Sequence, residues 1–557
     1  MALGSISSRK DDDKIHTDED VPSSWIRWIL PSAADLLFVA LFALLAFTTL
    51  STRLLSDAGI GWHIRTGQLI LQTHSIPRSD PFSSTMYGQP WFAWEWLYDL
   101  IVGCVERAAG LNGVAAFAAL IIALTFSWTF RLLVRRGANI AVALVLMLLA
   151  SSAAMIHFQA RPHVVSWLFT LAWFWILEST EEICKLDSGS LSPRPAPRSW
   201  LIWLLPPLTV VWVNLHGGFL VGFVLLAIYW LCAAWRWRTL NEGNFENIVE
   251  KIRASRRLRT LTLAGLLCAA ATLLNPYGFH LHLHIYGYLS NRFLMDHIDE
   301  FQSPNFHYVA QKCFAVLLLL ALAALAIKGR EVRTSHALVI LFAVFSGLYA
   351  ARNIPVASLL LILMIGPILS RVIDKVAGFS FGGEMHPRSF LQRMGTMELS
   401  LRGHCWPLAV VVFTACIAAH GGKLQSAPLM NAHFDARKFP VQAVDFLEST
   451  PQASTTSQGP VLSQDDWGGY LIYRLYPRIR VVVDDRHDLY GEVFLTSYLK
   501  MIHLEPGWQE FLEQHPAETI ILPKDSAQAN MLLETRGWRR VYADDVAIVF
   551  RRNPTKE

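Results

Sequence analysis

The sequence predicts a polytopic α-helical membrane protein that carries a soluble α/β domain at its C-terminal end. Of its 557 residues, 53% are hydrophobic and only 17% are charged, whereas soluble domains are about 25% charged. Apolar runs of roughly twenty residues, the length that crosses a bilayer core, recur about eleven times before residue 423. Beyond that point the composition changes, and short β-rich runs alternate with helical ones.

The apolar runs define a transmembrane domain over residues 28–422, with a long first loop at 51–111. Residues 1–27 are polar and lack the apolar core of a cleavable signal peptide, so we expect a disordered cytoplasmic tail. The stretch 94–108 is too short and too charged to cross, and it is expected to lie along the membrane surface as an interfacial helix. The predicted spans are 28–50, 113–134, 138–156, 162–178, 200–215, 217–236, 257–275, 311–328, 335–350, 353–372 and 406–422.

Basic residues decide the predicted orientation. If 94–108 does not cross, every basic loop falls on one side, including RLLVRR at 131–136 and KIRASRRLR at 251–259. The positive-inside rule makes that side the cytoplasm. The N-terminus is therefore predicted inside and, after an odd number of spans, the tail at 423–557 is predicted outside.

The tail has the pattern of a small α/β domain. VVVDD (481–485), TIILP (519–523) and VAIVFRR (546–552) predict strands, and WGGYLIYRLY (467–476), EVFLTSYLKMI (492–502) and SAQANMLLETRG (526–537) predict helices. DDRHD at 484–488 follows a predicted strand, where α/β domains place their sites, but an acidic surface turn is the favoured interpretation.

The first loop supplies three candidate catalytic carboxylates. Asp57 opens the loop just after the first span, where it can face a cavity, and its alternative role is to cap the following helix. Asp80 belongs to an Asp-Pro pair that starts turns readily, so a structural turn is its alternative. Glu95 lies between Trp94 and Trp96, which suit carbohydrate and are equally typical of an aromatic belt at the bilayer interface.

Candidate substrate-binding residues lie in the loops predicted to be external. Trp62 suits a sugar or a lipid headgroup, whereas His63 and Arg65 are alternatively interfacial anchors. Arg161 and Arg352 each lie at the entrance of a predicted span, where the planar fork of an arginine gives bidentate contacts to phosphate. The full set is Trp62, His63, Arg65, Arg161, His163, His216 and Arg352.

A divalent metal is left open by the loop at 275–307, which is rich in histidine. In a helix, His280, His284 and Tyr288 share one face, and His-x-x-x-His is a metal-ligand spacing. The sequence fixes no third ligand, so no cofactor is assigned. The seven cysteines are scattered without a C-x-x-C pair, which argues against a disulfide framework or a thiolate metal site.

The first loop also carries a resemblance. It opens with the acid of DAGIGWH (57–63), continues through DPFS (80–83) and WFAWEWL (91–97), and leads through a surface helix into a span that ends in a basic cluster. This order resembles the GT-C superfamily, which comprises polytopic glycosyltransferases that use polyprenyl-phosphate-linked sugars, and it looks like a divergent bacterial branch. The chain has Asp57-Ala58 where many members have Asp-Glu. The resemblance implies that Asp57 occupies the position of the catalytic acid.

Together these features predict a glycosyltransferase of the bacterial inner membrane. It would transfer a sugar from a polyprenyl-phosphate donor to a glycan, lipid or protein acceptor on the periplasmic face, with Asp57 as general base, inversion at the sugar, and Arg161, Arg352 and His163 on the leaving phosphate. Its expected partners are the lipid-linked sugar, the acceptor and the bilayer, with no nucleic acid. The alternative is a transporter or a non-catalytic envelope-assembly protein that binds lipid-linked glycans. Transporters place ionisable groups near mid-bilayer on broken helices, and this sequence shows no such cluster.

Overall fold

The computed structural model of the protein describes residues 25–181, 198–241, 243, 245–380, 387–449 and 459–553. The predicted N-terminal tail lies almost entirely outside the described residues, which begin at Trp25. Helices make up most of the described chain as far as Ala419, and a small sheet domain follows. These two parts correspond to the membrane domain and the α/β domain that the sequence predicts.

Every stretch predicted to span the membrane contains a helix. These helices are Ala33–Phe47, Trp96–Arg135, Ile140–Ala154, His163–Ser179, Leu205–Leu215, Phe219–Thr239, Phe245–Ala271, Val309–Lys328, Thr334–Tyr349, Ile354–Ser380 and Cys405–Ala419. Shorter helices are Ile26–Ile29, Leu50–Leu54, Gly59–Thr73, His280–Ser290, Arg292–His297 and Pro387–Ser400. Single 3-10 turns lie at Met155–His157, Ser199–Leu204, Asp299–Phe301, Gly329–Glu331 and Ala351–Asn353.

The described helices make this a multi-pass membrane protein, but the predicted number of eleven spans is not confirmed. Six helical segments in the described ranges are long and apolar enough to cross a membrane, and a bent pair, Arg393–Ser400 with Cys405–Ala419, would make seven. Ser199–Leu215 and Thr334–Tyr349 are apolar but shorter. The six segments are Ile26–Phe47, Trp96–Arg135, Ile140–His157, Phe219–Thr239, Val309–Glu331 and Ala351–Asp374.

The predicted surface helix and the second predicted span form one broken element, Trp96–Arg135. The break is at Gly110, whose φ of 58° and ψ of −160° interrupt the helix. A positive φ is readily adopted by glycine, so the chain can change direction there at little cost. The first half of this element packs closely against the helix Gly59–Thr73. There is no space for a side chain at Gly67, because a Cβ there would lie 1.9 Å from the carbonyl oxygen of Asp99.

The C-terminal domain contains a hairpin and a four-stranded mixed sheet. The hairpin joins β1 (Lys423–Leu424) to β2 (Ala427–Pro428), and the sheet contains β3 (Val461–Ser463), β4 (Thr519–Pro523), β5 (Trp538–Ala543) and β6 (Ala547–Arg552) in the order β3-β4-β6-β5. β3 and β4 are parallel, with Leu462 opposite Ile520, and the other pairs are antiparallel. The helices are Val441–Ser449, Asp465–Leu475, His487–His503, Trp508–Gln514 and Ala527–Glu534.

The prediction of one strand in this domain is wrong. VVVDD does not join the sheet as a strand, and only Val481 forms isolated bridges, to Ser83 of the first loop and to Val461 of β3. Val481, Val482 and Val483 are nevertheless buried. The run is apolar because it fills the space between the first loop and the sheet, and burial of this kind imitates the pattern of an inner strand.

The first loop and the C-terminal domain pack directly on each other. The helix Gly59–Thr73 crosses Asp465–Leu475 so closely that a Cβ on Gly61 would lie 2.2 Å from the carbonyl oxygen of Gly469. Arg65 donates from Nε to the carbonyl of Tyr473 at 2.7 Å, and Thr85 donates to the carbonyl of Val482 at 2.6 Å. The space left between these two parts and the membrane helices contains the candidate site.

Candidate active site

A polar cavity of about 450 Å³ lies where the membrane helices, the first loop, the 275–307 loop and the C-terminal domain meet. Most of the site residues that the sequence predicts line this cavity, although they are scattered over some three hundred positions of the chain. Those that line it are Asp57, Trp62, Glu95, Arg161, His163, His216 and Arg352.

Arg161 joins the two halves of the cavity. Its Nη1 donates to Asp57 Oδ1 at 2.9 Å and to Asp485 Oδ2 at 3.1 Å. Although burial opposes its charge, the two carboxylates raise the pKa of Arg161 above its usual value. Gly59 leaves room for this group, since a Cβ there would lie 1.5 Å from Arg161 Nη1. The first loop, the membrane helices and the C-terminal domain are thus tied together by a single guanidinium group.

Asp57 lines the cavity and also binds the start of the helix that follows it. Its Oδ1 accepts the backbone N–H of Gly59 at 2.8 Å, at the start of the helix Gly59–Thr73, and also accepts Arg161 Nη1. Within the described residues, its Oδ2 makes no hydrogen bond. The carboxylate is therefore fixed through one oxygen and free at the other.

Glu95 lies between two histidines on the cavity wall. Its Oε2 is 3.8 Å from His63 Nε2 and its Oε1 is 3.7 Å from His216 Nε2. Burial raises the pKa of Glu95 to about 7, and Arg161 and Arg352 oppose that effect only in part. A carboxyl group that titrates near neutral pH in a cavity is typical of functional sites.

Both histidines present Nε2 to Glu95, because the Nδ1 atom of each ring is engaged by another group. The backbone N–H of Gly218 donates to His216 Nδ1 at 3.0 Å, so the proton of the neutral ring is on Nε2, toward Glu95. His63 is fully buried behind the wall, with Nδ1 2.5 Å from Asp99 Oδ1, and its Nε2 has no hydrogen-bond partner. Burial, together with nearby cations, holds the pKa of His63 well below its usual range.

Arg352 lies on the cavity wall beside an aromatic ring. Its guanidinium carbon lies 4.6 Å from the centre of the Phe301 ring. Among the residues that the structure describes, Arg352 forms no ion pair with a carboxylate. His163, also on the wall, donates from Nε2 to the carbonyl of His157 at 2.9 Å.

Three predicted site residues do not line the cavity. Asp80 is buried in a turn, where it accepts the N–H groups of Phe82 at 3.1 Å and Ser83 at 2.9 Å and pairs with Arg486 at 2.8 Å. Arg65 contacts Tyr473 across the domain contact, and His63 lies behind the wall. These contacts favour the structural turn for Asp80, and they place Arg65 in the contact between the first loop and the C-terminal domain.

The interpretation of DDRHD as an acidic surface turn is wrong. Asp484 and Arg486 are 0% and 3% exposed, and Arg486 donates to both carboxylate oxygens of Asp484, at 2.8 and 2.7 Å. Asp485 reaches the cavity, where burial and the neighbouring Asp57 raise its pKa to about 6. His487 Nε2 pairs with Asp465 Oδ2 at 2.7 Å. The segment is a buried, charged wall of the site.

The histidines of the 275–307 loop are used in other contacts. His284 stacks on Phe92 at 4.4 Å and its Nε2 lies 3.2 Å from Asp488, while His282 Nε2 lies 2.8 Å from the hydroxyl of Thr272. Over the described ranges, no group of three or more His, Cys, Asp or Glu residues is arranged to hold a metal ion. Dependence on a divalent metal stays a prediction.

The comparisons with known proteins place the fold. No family model and no curated protein matches the sequence. The apo oligosaccharyltransferase of Archaeoglobus fulgidus is similar at a TM-score of 0.53 with 12% identity, over 94% of this chain and 74% of that one. ArnT from Cupriavidus metallidurans, bound to undecaprenyl phosphate, is similar at 0.50 with 15% identity, over 93% of this chain and 98% of that one. The oligosaccharyltransferase tethered with an acceptor peptide gives 0.54 with 11% identity, over 90% and 69%.

These similarities define the class to which the structure belongs. Both proteins are GT-C proteins, and the likeness extends over nearly the whole of this chain. At such low identities it establishes the architecture alone. The chain has the GT-C fold, which confirms the resemblance seen in its first loop.

Proposed function

We propose that the protein is a membrane glycosyltransferase that transfers a sugar from a polyprenyl-phosphate donor to an acceptor hydroxyl on the periplasmic face. The observation that carries this proposal is a single cavity within a GT-C fold. It contains Asp57, whose carboxylate has one oxygen without a hydrogen bond to the described residues, together with Arg161 and Arg352. The similar ArnT structure is described as bound to undecaprenyl phosphate, which supports a lipid phosphate as donor.

In the proposed reaction, Asp57 is the general base. Gly59 and Arg161 hold Oδ1, so Oδ2, which has no hydrogen bond to a described residue, is the oxygen that takes the proton of the acceptor hydroxyl. The acceptor oxygen forms a bond to the anomeric carbon while the bond from that carbon to the phosphate oxygen breaks. The electron pair leaves with the lipid phosphate, and the configuration at the sugar is inverted.

The arginines stabilise the leaving phosphate. A general base contributes about 10²–10⁴-fold, so much of the remaining acceleration must come from charges that face the leaving group. Arg352 suits this role because it forms no ion pair with a carboxylate of the described residues, although Glu300 lines the same cavity. Arg161 is already shared by Asp57 and Asp485, and its remaining donors are available to a second ligand.

Glu95 is the alternative base. With a pKa of about 7 it is half protonated at neutral pH, a state in which a carboxyl group can both donate and accept a proton. It is 12% exposed and lines the same cavity as Asp57. The two carboxylates are distinguished by substitution.

Asp57→Asn tests the base. The amide oxygen can still accept the N–H of Gly59, so the fold is retained, but the amide cannot take a proton, and we expect transfer to fall by a factor on the order of 10² or more. The measurement is mass spectrometry of products after purified protein is incubated with candidate polyprenyl-phosphate sugars and acceptors.

Asp299→Asn is the matched control, because Asp299 is exposed and lines the same cavity. It should keep activity close to that of the wild type. If Asp57→Asn is fully active while Glu95→Gln is inactive, the base is Glu95. If both variants are fully active, the general-base mechanism is wrong.

Arg161→Lys and Arg352→Lys test the phosphate contact. Lysine keeps the charge but loses the bidentate fork, so donor affinity should fall by about tenfold in either variant. Binding is measured by titrating polyprenyl phosphate into the purified protein. Arg292→Lys, at an arginine whose side chain is 93% exposed, should bind like the wild type. Equal affinity in all three variants would remove the arginines from the donor site.

A further inference from the structure

A second large cavity, of about 810 Å³, lies at the opposite end of the same helices. The helix His163–Ser179 begins at the candidate active site and reaches the second cavity at Glu178 and Ser179. At 1.5 Å per residue its 17 residues separate the two cavities by about 24 Å. The broken element Trp96–Arg135 also reaches both cavities, at Asp99 and at Arg135, and the helix Ile354–Ser380, which begins two residues after Arg352, lines the second.

This second cavity has a surplus of positive charge. Its lining contains only two glutamates, Glu178 and Glu331, against Arg135, Arg136, Arg198, Arg333 and Arg371. Two of the arginines are neutralised, because Arg136 pairs with Glu178 and Arg333 donates to Glu181 at 2.7 Å. The side chains of Arg135, Arg198 and Arg371, all three exposed, form no hydrogen bond or ion pair with any described residue.

The polar groups at the floor of the cavity form their hydrogen bonds and ion pairs within the protein itself. Pro367 has no N–H, so the carbonyl of Leu363 lacks its donor within the helix, and Arg136 Nε donates to it at 3.1 Å. Glu178, the partner of Arg136, also faces His336 Nε2 at 3.0 Å. The cationic side chains at the mouth without a partner among the described residues are therefore those of the three exposed arginines.

One wall of the cavity is apolar, and it includes Leu132, Phe174, Trp175, Met364 and Ile368. The helix that ends at Arg135 and the segment Ala351–Asp374 are both candidate membrane spans, so the charged mouth lies at the level of lipid headgroups. A free anion would use the arginines and leave this wall without a contact. An anionic lipid matches both features.

We propose that this cavity binds the phosphate headgroup of an anionic lipid at the membrane face opposite the candidate active site. Arg135, Arg198 and Arg371 hold the phosphate oxygens, for which the guanidinium fork is well suited, and an acyl chain lies against the apolar wall. The proposal does not depend on transferase activity, so it can fail or succeed independently of the function proposed above.

The test uses the full-length protein in detergent and native mass spectrometry of bound lipid. Dioleoyl phosphatidic acid and dioleoyl phosphatidylcholine are titrated separately, and inorganic phosphate is added as a competitor. We compare the wild type with a variant that combines Arg135→Gln, Arg198→Gln and Arg371→Gln, and with the single variant Arg371→Gln in case the combined variant is poorly folded. The control removes the same charge from exposed arginines that do not line the cavity, Arg238, Arg256 and Arg330, by the same substitution.

The wild type and the control should bind phosphatidic acid at least tenfold more tightly than phosphatidylcholine. The combined variant should lose that preference and Arg371→Gln should reduce it severalfold. Equal preference in all proteins would mean that surface charge alone attracts the lipid, and the proposal would be wrong. Full competition by millimolar inorganic phosphate would show a site for a free anion and would also overturn the lipid assignment.

Discussion

At the scale of single residues, protonation of the Glu95 carboxyl group makes the charge of the cavity depend on pH. Its pKa of about 7 results from burial, and the groups that face it are His63, His216, Arg161 and Arg352. Below that pKa the carboxyl group is neutral. Above it the cavity gains a negative charge close to the proposed position of the donor phosphate.

Donor binding should therefore weaken as pH rises from roughly 6 to 8. Two unit charges 4 Å apart in water interact by about 1 kcal/mol, so the weakening is expected to be on the order of fivefold, and it should be smaller in Glu95→Gln. Titration of polyprenyl phosphate at several pH values measures it. The phosphate of the lipid itself titrates at about pH 6 with every variant, so the difference between wild type and Glu95→Gln is the quantity of interest.

Glu300→Gln is the control for this pH dependence. Although burial opposes its charge, His157 and Arg352 hold the pKa of Glu300 below its usual value, so it is already ionised throughout that range. Its substitution should shift affinity equally at all pH values. A pH profile of Glu95→Gln identical to that of the wild type would contradict the role given to Glu95.

The sequence could indicate Asp57, Arg161 and Arg352 because each lies beside the end of an apolar run, where an ionisable group is unusual. It could not indicate Asp485 as a cavity residue, since its contact with Arg161 joins positions more than three hundred residues apart. Asp99 was missed for a related reason. It lies inside an apolar helix, and only the packing of Gly59–Thr73 against that helix brings His63 to it.

At the scale of elements, the crossing of Gly59–Thr73 and Asp465–Leu475 positions the C-terminal domain. A Cβ on Gly469 would lie 2.3 Å from the carbonyl oxygen of Ala58, next to Asp57. Gly469→Ala should force the helices apart and lower the melting temperature by roughly 2–10 °C, with loss of transfer activity. Thermal unfolding in detergent measures the first effect.

The matched control is Gly287→Ala, since a Cβ on this glycine would meet no atom within 4 Å. It lies in the helix His280–Ser290, where alanine is the better helix former, so stability should be unchanged or slightly higher. A wild-type melting temperature for Gly469→Ala would mean that the close crossing is not needed.

Element types were predictable where periodicity and length agreed, as in Phe219–Thr239 and Thr519–Pro523. They were not predictable where an apolar run is buried without pairing as a β-strand, as in VVVDD. β5 was missed because Trp538–Ala543 is half exposed and carries two arginines, Arg539 and Arg540, so it lacks an apolar run. The break at Gly110 was foreseen as a boundary between two helices, although the structure joins them in one element.

At the scale of the whole molecule, orientation decides which compartment the candidate active site faces. We predict that the N-terminus is cytoplasmic and that the C-terminal domain is periplasmic. Alkaline phosphatase, which is active only in the periplasm, should be active when fused after Gly422, and a fluorescent protein that requires the cytoplasm should be dark there. The reverse result would place the cavity with Asp57 in the cytoplasm and contradict the proposed function.

The bond pair at Arg161 has a consequence for the synthesis of the protein. Asp57 and Arg161 leave the ribosome early, but Asp485 follows only after more than three hundred further residues have been translated and the membrane helices inserted. Until then one wall of the cavity is missing, and the cation is neutralised by a single carboxylate. A chain that ended between Ala419 and Asp485 would therefore contain all the helices of the membrane domain but an incomplete cavity.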